Sequence, residues 1–315
     1  MQLPSSLLIL CTILWSQSLC VRADEANGLR ILEAQKCGIF LTIRITNGHE
    51  VALGSRPWMS LLRLRHGQDE AFACAGTLIT DRFVLTAAHC LTRNELVSVR
   101  LGEHQLSTET DCKPAGRTIR CLPPVEDIDV ERVFRHADYV PETNHNDIAL
   151  IQLARPVAFK REYFVWIVET MALNNSLLVA HIRPICLPIN ATLQQRAESS
   201  ENFVVTGWGT TEDGSDSDVL LETAIDTQTR RSCFNSYARE IKQTQLCAGA
   251  LRSDSCRGDS GGPLSYPAIY SNRQRFVQFG IVSYGARSCG SGFPAVYTNI
   301  ASFIPWITNI IGANS

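Results

Sequence analysis

At 315 residues, with 45% hydrophobic composition and 29 basic against 31 acidic side chains, the chain can bury a full core and carries a formal charge of only −2. Such a balance gives no electrostatic reason to expect a nucleic-acid partner, and none is expected. Twelve cysteines point to a chain made for an oxidising compartment.

The first 23 residues, MQLPSSLLILCTILWSQSLCVRA, hold an apolar run from Leu7 to Trp15 that is too short to cross a bilayer, followed by Val21 and Ala23 at signal-peptidase spacing. Residues 1–23 therefore read as a secretory signal peptide, and no later segment reads as membrane-spanning. Loss of Cys11 and Cys20 with that leader leaves an even set: Cys37, Cys74, Cys90, Cys112, Cys121, Cys186, Cys233, Cys247, Cys256 and Cys289. No CxxC pair occurs and the histidines are not spaced as zinc ligands, which favours disulfides over metal. Along the chain the runs RFVLTAA, ELVSVRLG, NDIALIQL, NFVVTGWG and RFVQFGIVSYG, each bounded by Gly, Asn, Asp or Pro, predict an all-β fold. EDGSDSD, residues 212–218, reads as a solvated acidic loop. Only SFIPWITNII near the end has helical apolar spacing, with Pro305 tolerated in a first turn.

The chemistry concentrates around Ser260, in DSCRGDSGGP, where flanking glycines let backbone amides approach whatever the hydroxyl attacks. A nucleophilic serine needs a base and an orienting carboxylate. His89 in LTAAHC and Asp147 in NDIALIQL supply both residue types, in the chain order His, Asp, Ser. Together with CAGTLI at Cys74, VTGWG at Val205 and SYG at Ser283, these motifs resemble the chymotrypsin-like serine peptidases over nearly all of residues 45–315. The resemblance implies two six-stranded antiparallel Greek-key β-barrels with a C-terminal helix. It implies catalysis by His89, Asp147 and Ser260 without a required cofactor, with an oxyanion hole at the amides of Gly258 and Ser260.

It further implies a trypsin-like pocket with Asp254 at its base and Ser283, Gly285 and Ala295 along its walls. Ala295 stands where a glycine is usual, so its methyl is expected to narrow the pocket and to blur any preference between Arg and Lys. LTIR-ITNGHEV resembles an activation junction: residues 24–44 form a propeptide, cleavage after Arg44 frees the amino group of Ile45, and Asp259 receives it. The family pattern implies disulfides joining Cys37 with Cys186, Cys74 with Cys90, Cys233 with Cys247 and Cys256 with Cys289. Cys112 and Cys121 then remain as neighbours in a loop similar to that of arthropod clip-domain peptidases, although no clip domain precedes the junction. In that subgroup the loop after LGEH holds calcium, and Glu103, Gln105, Thr108 and Asp111 have the matching spacing.

Residues 161–179, REYFVWIVETMALNNSLLV, interrupt the family pattern. They read as retained intron sequence ahead of an exosite or a tolerated insertion. Asn174 and Asn190 head glycosylation sequons. The expected protein is a secreted, monomeric zymogen of an extracellular immune or developmental cascade. Its partners are a protein substrate, an upstream activating peptidase and serpin-type inhibitors. The rival reading is a non-catalytic homologue serving as a scaffold in such cascades.

Overall fold

The structure, a computed structural model, describes residues 23–40, 49–159, 165–166, 181–211, 213–249, 257–286 and 292–315. A helix, α1, occupies residues 23–34. The first half of the chain then forms β1 (His49–Glu50), β2 (Met59–His66), β3 (Asp69–Leu78), β4 (Phe83–Thr86), β5 (Glu95–Leu101), β6 (Cys112–Ala115), β7 (Thr118–Cys121), β8 (Glu126–Arg135), β9 (Ala149–Leu153) and β10 (Val165–Trp166). The second half forms α2 (Ala191–Ser199), β11 (Asn202–Gly207), β12 (Leu221–Gln228), α3 (Arg230–Tyr237), β13 (Gln245–Ala248), β14 (Pro263–Tyr270), β15 (Arg273–Tyr284), β16 (Ala295–Asn299) and α4 (Ile304–Ala313).

The expected pair of barrels is present. Strands β2, β3, β4, β9, β8 and β5 close into the first in that cyclic order, all antiparallel. Strands β12, β11, β14, β15, β16 and β13 form the second, closed where Thr227 and Gln228 pair with Ala248 and Cys247, while β1 adds to the outside of β12. Closure leaves few open edges, so strands as apolar as ALIQL, buried on both faces, are protected from pairing with other chains. Leu62, Phe83, Leu85 and Ile151 fill the first barrel, and Phe203, Leu264, Phe279 and Tyr297 the second. The barrels are joined at Thr77, whose hydroxyl donates to the Gln278 side-chain oxygen at 2.6 Å with both residues buried.

Three helices go beyond the one expected from the sequence. α2 and α3 are polar and lack a strong apolar stripe; the signal that marks them is the cap. Asn190 accepts from the amide of Leu193 at 3.0 Å, and Thr229 from that of Ser232 at 3.2 Å. α1 lies in the stretch read as a propeptide. Within the atypical segment, Val165 and Trp166 pair with Arg120 and Ile119 of β7, and the rest of 161–179 lies outside the described residues. β7 is one arm of a hairpin in which Cys112 and Cys121 sit directly opposite and are bonded to each other.

One ion pair is taken wholly out of water. Arg56 Nη2 lies 2.6 Å from Glu222 Oε2, with side chains 2% and 6% exposed, and the guanidinium stacks 4.4 Å over the Phe276 ring. Burial pushes the Arg56 pKa down and the Glu222 pKa up, in each case outweighing the partner's opposite pull. The pair is therefore a constraint on register, linking the start of the first barrel to β12, more than a source of net stability. Arg56→Met should cost about 3–5 kcal/mol in urea unfolding, because it strands a buried carboxylate, whereas Arg56→Met combined with Glu222→Leu should recover most of that loss.

Candidate active site

His89 sits on a short 3₁₀ turn, Ala88–Leu91, that follows β4. β4 pairs with β9 so that Thr86 lies opposite Ala149, which brings the turn after one strand close to the residue two places before the other. That residue is Asp147, fully buried behind Asn146, whose φ of 56° turns the chain sharply. The carboxylate is spent on His89 through both oxygens: Oδ2 is 2.7 Å from Nδ1 and Oδ1 accepts from the backbone amide at 2.9 Å. A carboxylate at Nδ1 places the ring proton there and leaves Nε2 as the basic nitrogen.

The second barrel holds this acid from the other side. Ser283 Oγ donates to Asp147 Oδ2 at 2.5 Å, and Thr298 Oγ1 donates to the Asp147 carbonyl at 2.8 Å. These partners come from β15 and β16, far from Asp147 in sequence.

Ser260 is half-buried in the turn before β14. Its carbonyl accepts from the amide of Ala75 at 2.8 Å, and Ala75 is next to Cys74, which is bonded to Cys90 beside His89. The loop is thus pinned within a few residues of His89. Gly261 makes the approach feasible: at φ 81°, a Cβ there would stand 2.2 Å from Thr86 Oγ1 and 2.3 Å from the Ala75 carbonyl. Gly258 has φ 98° and packs against Gly209. The amides of Gly258 and Ser260 have no acceptor among the described residues.

Asp259 points inward, 8% exposed, and its Oδ1 accepts from the amide of Gly209 at 2.9 Å. A Cβ on Gly207 would fall 2.0 Å from that oxygen, and one on Gly209 2.5 Å from the carboxyl carbon. The two glycines of VTGWG therefore exist to admit this carboxylate.

A family model described as Trypsin matches residues 45–307. The chain belongs to the trypsin family. Serine protease grass of Drosophila melanogaster is 43% identical over 284 residues, covering 88% of this chain and 70% of that protein. CLIP domain-containing serine protease HP8 of Bombyx mori is 39% identical, covering 90% and 74%. Among solved structures, that of the Drosophila Grass clip serine protease of the Toll pathway superposes with a TM-score of 0.79 at 41% identity, covering 91% of this chain and 78% of that one. The protein is a serine-type endopeptidase on these grounds, with the fold the site requires.

Within this trypsin-family frame the remaining predicted residues fall into three groups. Asp254, Arg44, Ile45, Cys256, Cys289 and Asn174 lie outside the described residues. Ser283 and Gly285 stand at the end of β15, Ser283 with its hydroxyl committed to Asp147, while Ala295 is fully buried and packs with the core of the second barrel. Glu103 and Asp111, finally, are brought together: both are buried and both accept from the amide of His104, at 2.9 and 2.8 Å. Thr108 Oγ1 donates to Asp111 Oδ1, and Gln105 offers its carbonyl to Thr108. Burial first, then the charge of Asp111, holds the Glu103 carboxyl above its ordinary pKa.

The acidic loop read as merely solvated is stitched to this one. Asp218 accepts from the Ser107 amide and hydroxyl and from Gln105 Nε2, at 2.8, 2.6 and 2.9 Å. Thr298 and the paired role of Gly207 and Gly209 were missed from the sequence; the GWG spacing was the available signal for the latter. Because Gly261 has neither conformational nor spatial room for a side chain, Gly261→Ala should destabilise the protein by about 2–4 kcal/mol in denaturant unfolding. The same variant should lose labelling by a serine-reactive phosphonate even where it remains folded.

Proposed function

We propose that the protein is a secreted zymogen activated by cleavage after Arg44, which then hydrolyses protein substrates on the carboxyl side of Arg or Lys. Residues 1–23 are the leader, 24–44 the activation segment and 45–315 the peptidase domain. The observation that carries the catalytic reading is the buried Asp147 carboxylate bonded to His89 Nδ1 beside the pinned Ser260 loop. Ser260 Oγ attacks the scissile carbonyl as His89 Nε2 takes its proton, and the imidazolium returns that proton to the leaving amine. Water, deprotonated by the same nitrogen, then frees the acyl group. The Gly258 and Ser260 amides stabilise the tetrahedral oxyanion; one such donor is worth roughly 3 kcal/mol.

Asp254 supplies the negative charge for a substrate guanidinium or ammonium, with Ser283, Gly285 and Ala295 framing it. The freed amino group of Ile45 pairs with Asp259, in the space that Gly207 and Gly209 leave for its carboxylate. An extracellular cascade of immune or developmental type fits the likeness to clip-domain proteases, with an upstream peptidase as activator and serpins as inhibitors of a monomeric enzyme. Asn190 carries a glycan; it is exposed, and its capping bond uses Oδ1, which leaves Nδ2 for attachment. Protein cut after Arg44 should cleave Arg and Lys peptides, Ser260→Ala should abolish turnover, and Asp147→Asn should lower kcat by roughly 10⁴ through the wrong imidazole tautomer. Turnover unchanged in Ser260→Ala would overturn the assignment.

Calcium suits the loop of Glu103 and Asp111, since two buried carboxylates that repel one another gain from a hard cation, with the Gln105 and Thr108 carbonyls completing an oxygen set. Without the ion, burial and the neighbouring Asp111 charge make the Glu103 carboxylate costly even with Arg100 Nη1 3.3 Å away. A carboxyl whose folded pKa is raised above 4.5 stabilises the fold below that value and loses this contribution as pH rises through the folded value. Glu103→Gln should therefore raise Tm in chelator near neutral pH, have little effect below about pH 4.5, and remove any rise in Tm caused by added calcium.

A further inference from the structure

The segment on the N-terminal side of Arg44 is built into the fold at two separate places. α1 lies against α4 in backbone-to-backbone contact. A Cβ on Gly28 would stand 1.9 Å from the Thr308 carbonyl oxygen, and one on Gly312 would stand 1.8 Å from that of Asp24. Neither obstacle is a flexible side chain, so the two helices meet where each has no side chain at all. Asn27 Nδ2 donates to the Gly312 carbonyl at 3.1 Å. Leu32, 4% exposed, enters the same apolar cluster as Ile304, Ile307 and Ile311.

The second anchor lies on the other barrel. Cys37 is bonded to Cys186, the Gly38 amide donates to Pro184 O at 2.8 Å, and the Gly38 carbonyl accepts from the Phe276 amide at 3.0 Å. The Phe40 ring packs edge-on against Phe276, 4.9 Å between centroids. α4 itself is fixed to the first barrel, since Gln152 Nε2 donates to the Asn314 carbonyl at 3.0 Å. Residues 23–40 therefore strap both barrels.

We propose that residues 24–40, which the Cys37–Cys186 disulfide would by itself keep on the activated peptidase, are also held there by docking of α1 on α4 independently of that bond. The inference rests on cleavage at the 41–45 junction, and the test makes that cut by other means. Residues 41–44 are replaced by the recognition sequence of a specific endopeptidase, the full protein is cut there, and gel filtration under native conditions follows the light chain by mass.

In the Cys37→Ser, Cys186→Ser protein the light chain should co-elute with the heavy chain. Adding Gly28→Leu should weaken its retention by roughly tenfold to a hundredfold. With the disulfide intact, Gly28→Leu should leave the light chain attached while its amides over 24–33 exchange faster by a similar factor. Complete loss of the light chain from a folded double-serine protein overturns the proposal. If that protein does not fold, exchange of amides 24–33 at the unfolded rate in the disulfide-intact cut protein overturns it equally. Hydrolysis of an Arg substrate, read in the same samples, reports on the peptidase assignment alone: inactive protein that retains its light chain touches only the latter.

Discussion

A single buried carboxylate holds the two halves of this molecule in catalytic register. Asp147 is out of contact with water, and a charge in that position is tolerable only when its oxygens are occupied by well-placed donors. His89 supplies two of them from the first barrel, and Ser283 supplies the third from the second barrel, with Thr298 bonded to the Asp147 carbonyl. Separation of the barrels would strand the charge. The arrangement that orients the imidazole is therefore also one that penalises any slippage between β9, β15 and β16.

Around this centre the chain repeats one device: an inflexible contact where a side chain would not fit. Gly261 lets the Ser260 turn rest on Ala75 and Thr86, and Gly207 with Gly209 opens the space that Asp259 fills. The Cys74–Cys90 disulfide ties the strand beneath Ser260 to the turn bearing His89. The positions of Ser260 and His89 are set by backbone and covalent contacts, which relax less than side-chain packing does. Hydrogen bonds from the Glu103–Asp111 loop extend the frame outward. His104 accepts through its carbonyl from Leu220 and from Trp208 Nε1, and Trp208 precedes the glycine bonded to Asp259.

Short apolar runs bounded by turn residues made the all-β class legible, and residue type within a motif singled out Ser260, His89 and Asp147; the pair of barrels was legible only through the family resemblance that these motifs carry. The polar helices α2 and α3 were not, since their apolar faces are narrow and only the caps at Asn190 and Thr229 announce them. The acidic stretch at 212–218 read as solvent-facing because nothing local to it reveals that Ser107 and Gln105 approach Asp218 from more than a hundred residues away. α1 was hidden for a related reason. Its contacts with α4, through Leu32 and Asn27, are with residues more than 270 positions away, and an isolated helix of that length is marginal in water.

By itself the sequence determined the kind of chemistry, because acyl transfer by serine requires particular functional groups and these stand in recognisable local settings. It also determined the all-β class, through apolar runs bounded by turn residues, a pattern that neighbouring residues are enough to express. Only the tertiary structure decided what those groups touch: that Ser283 serves Asp147, that Glu103 and Asp111 share one amide, and that residues 23–40 span both barrels. Each of these is a contact between segments distant along the chain, and its energy depends on distance, burial and direction, quantities that exist only once the barrels have closed.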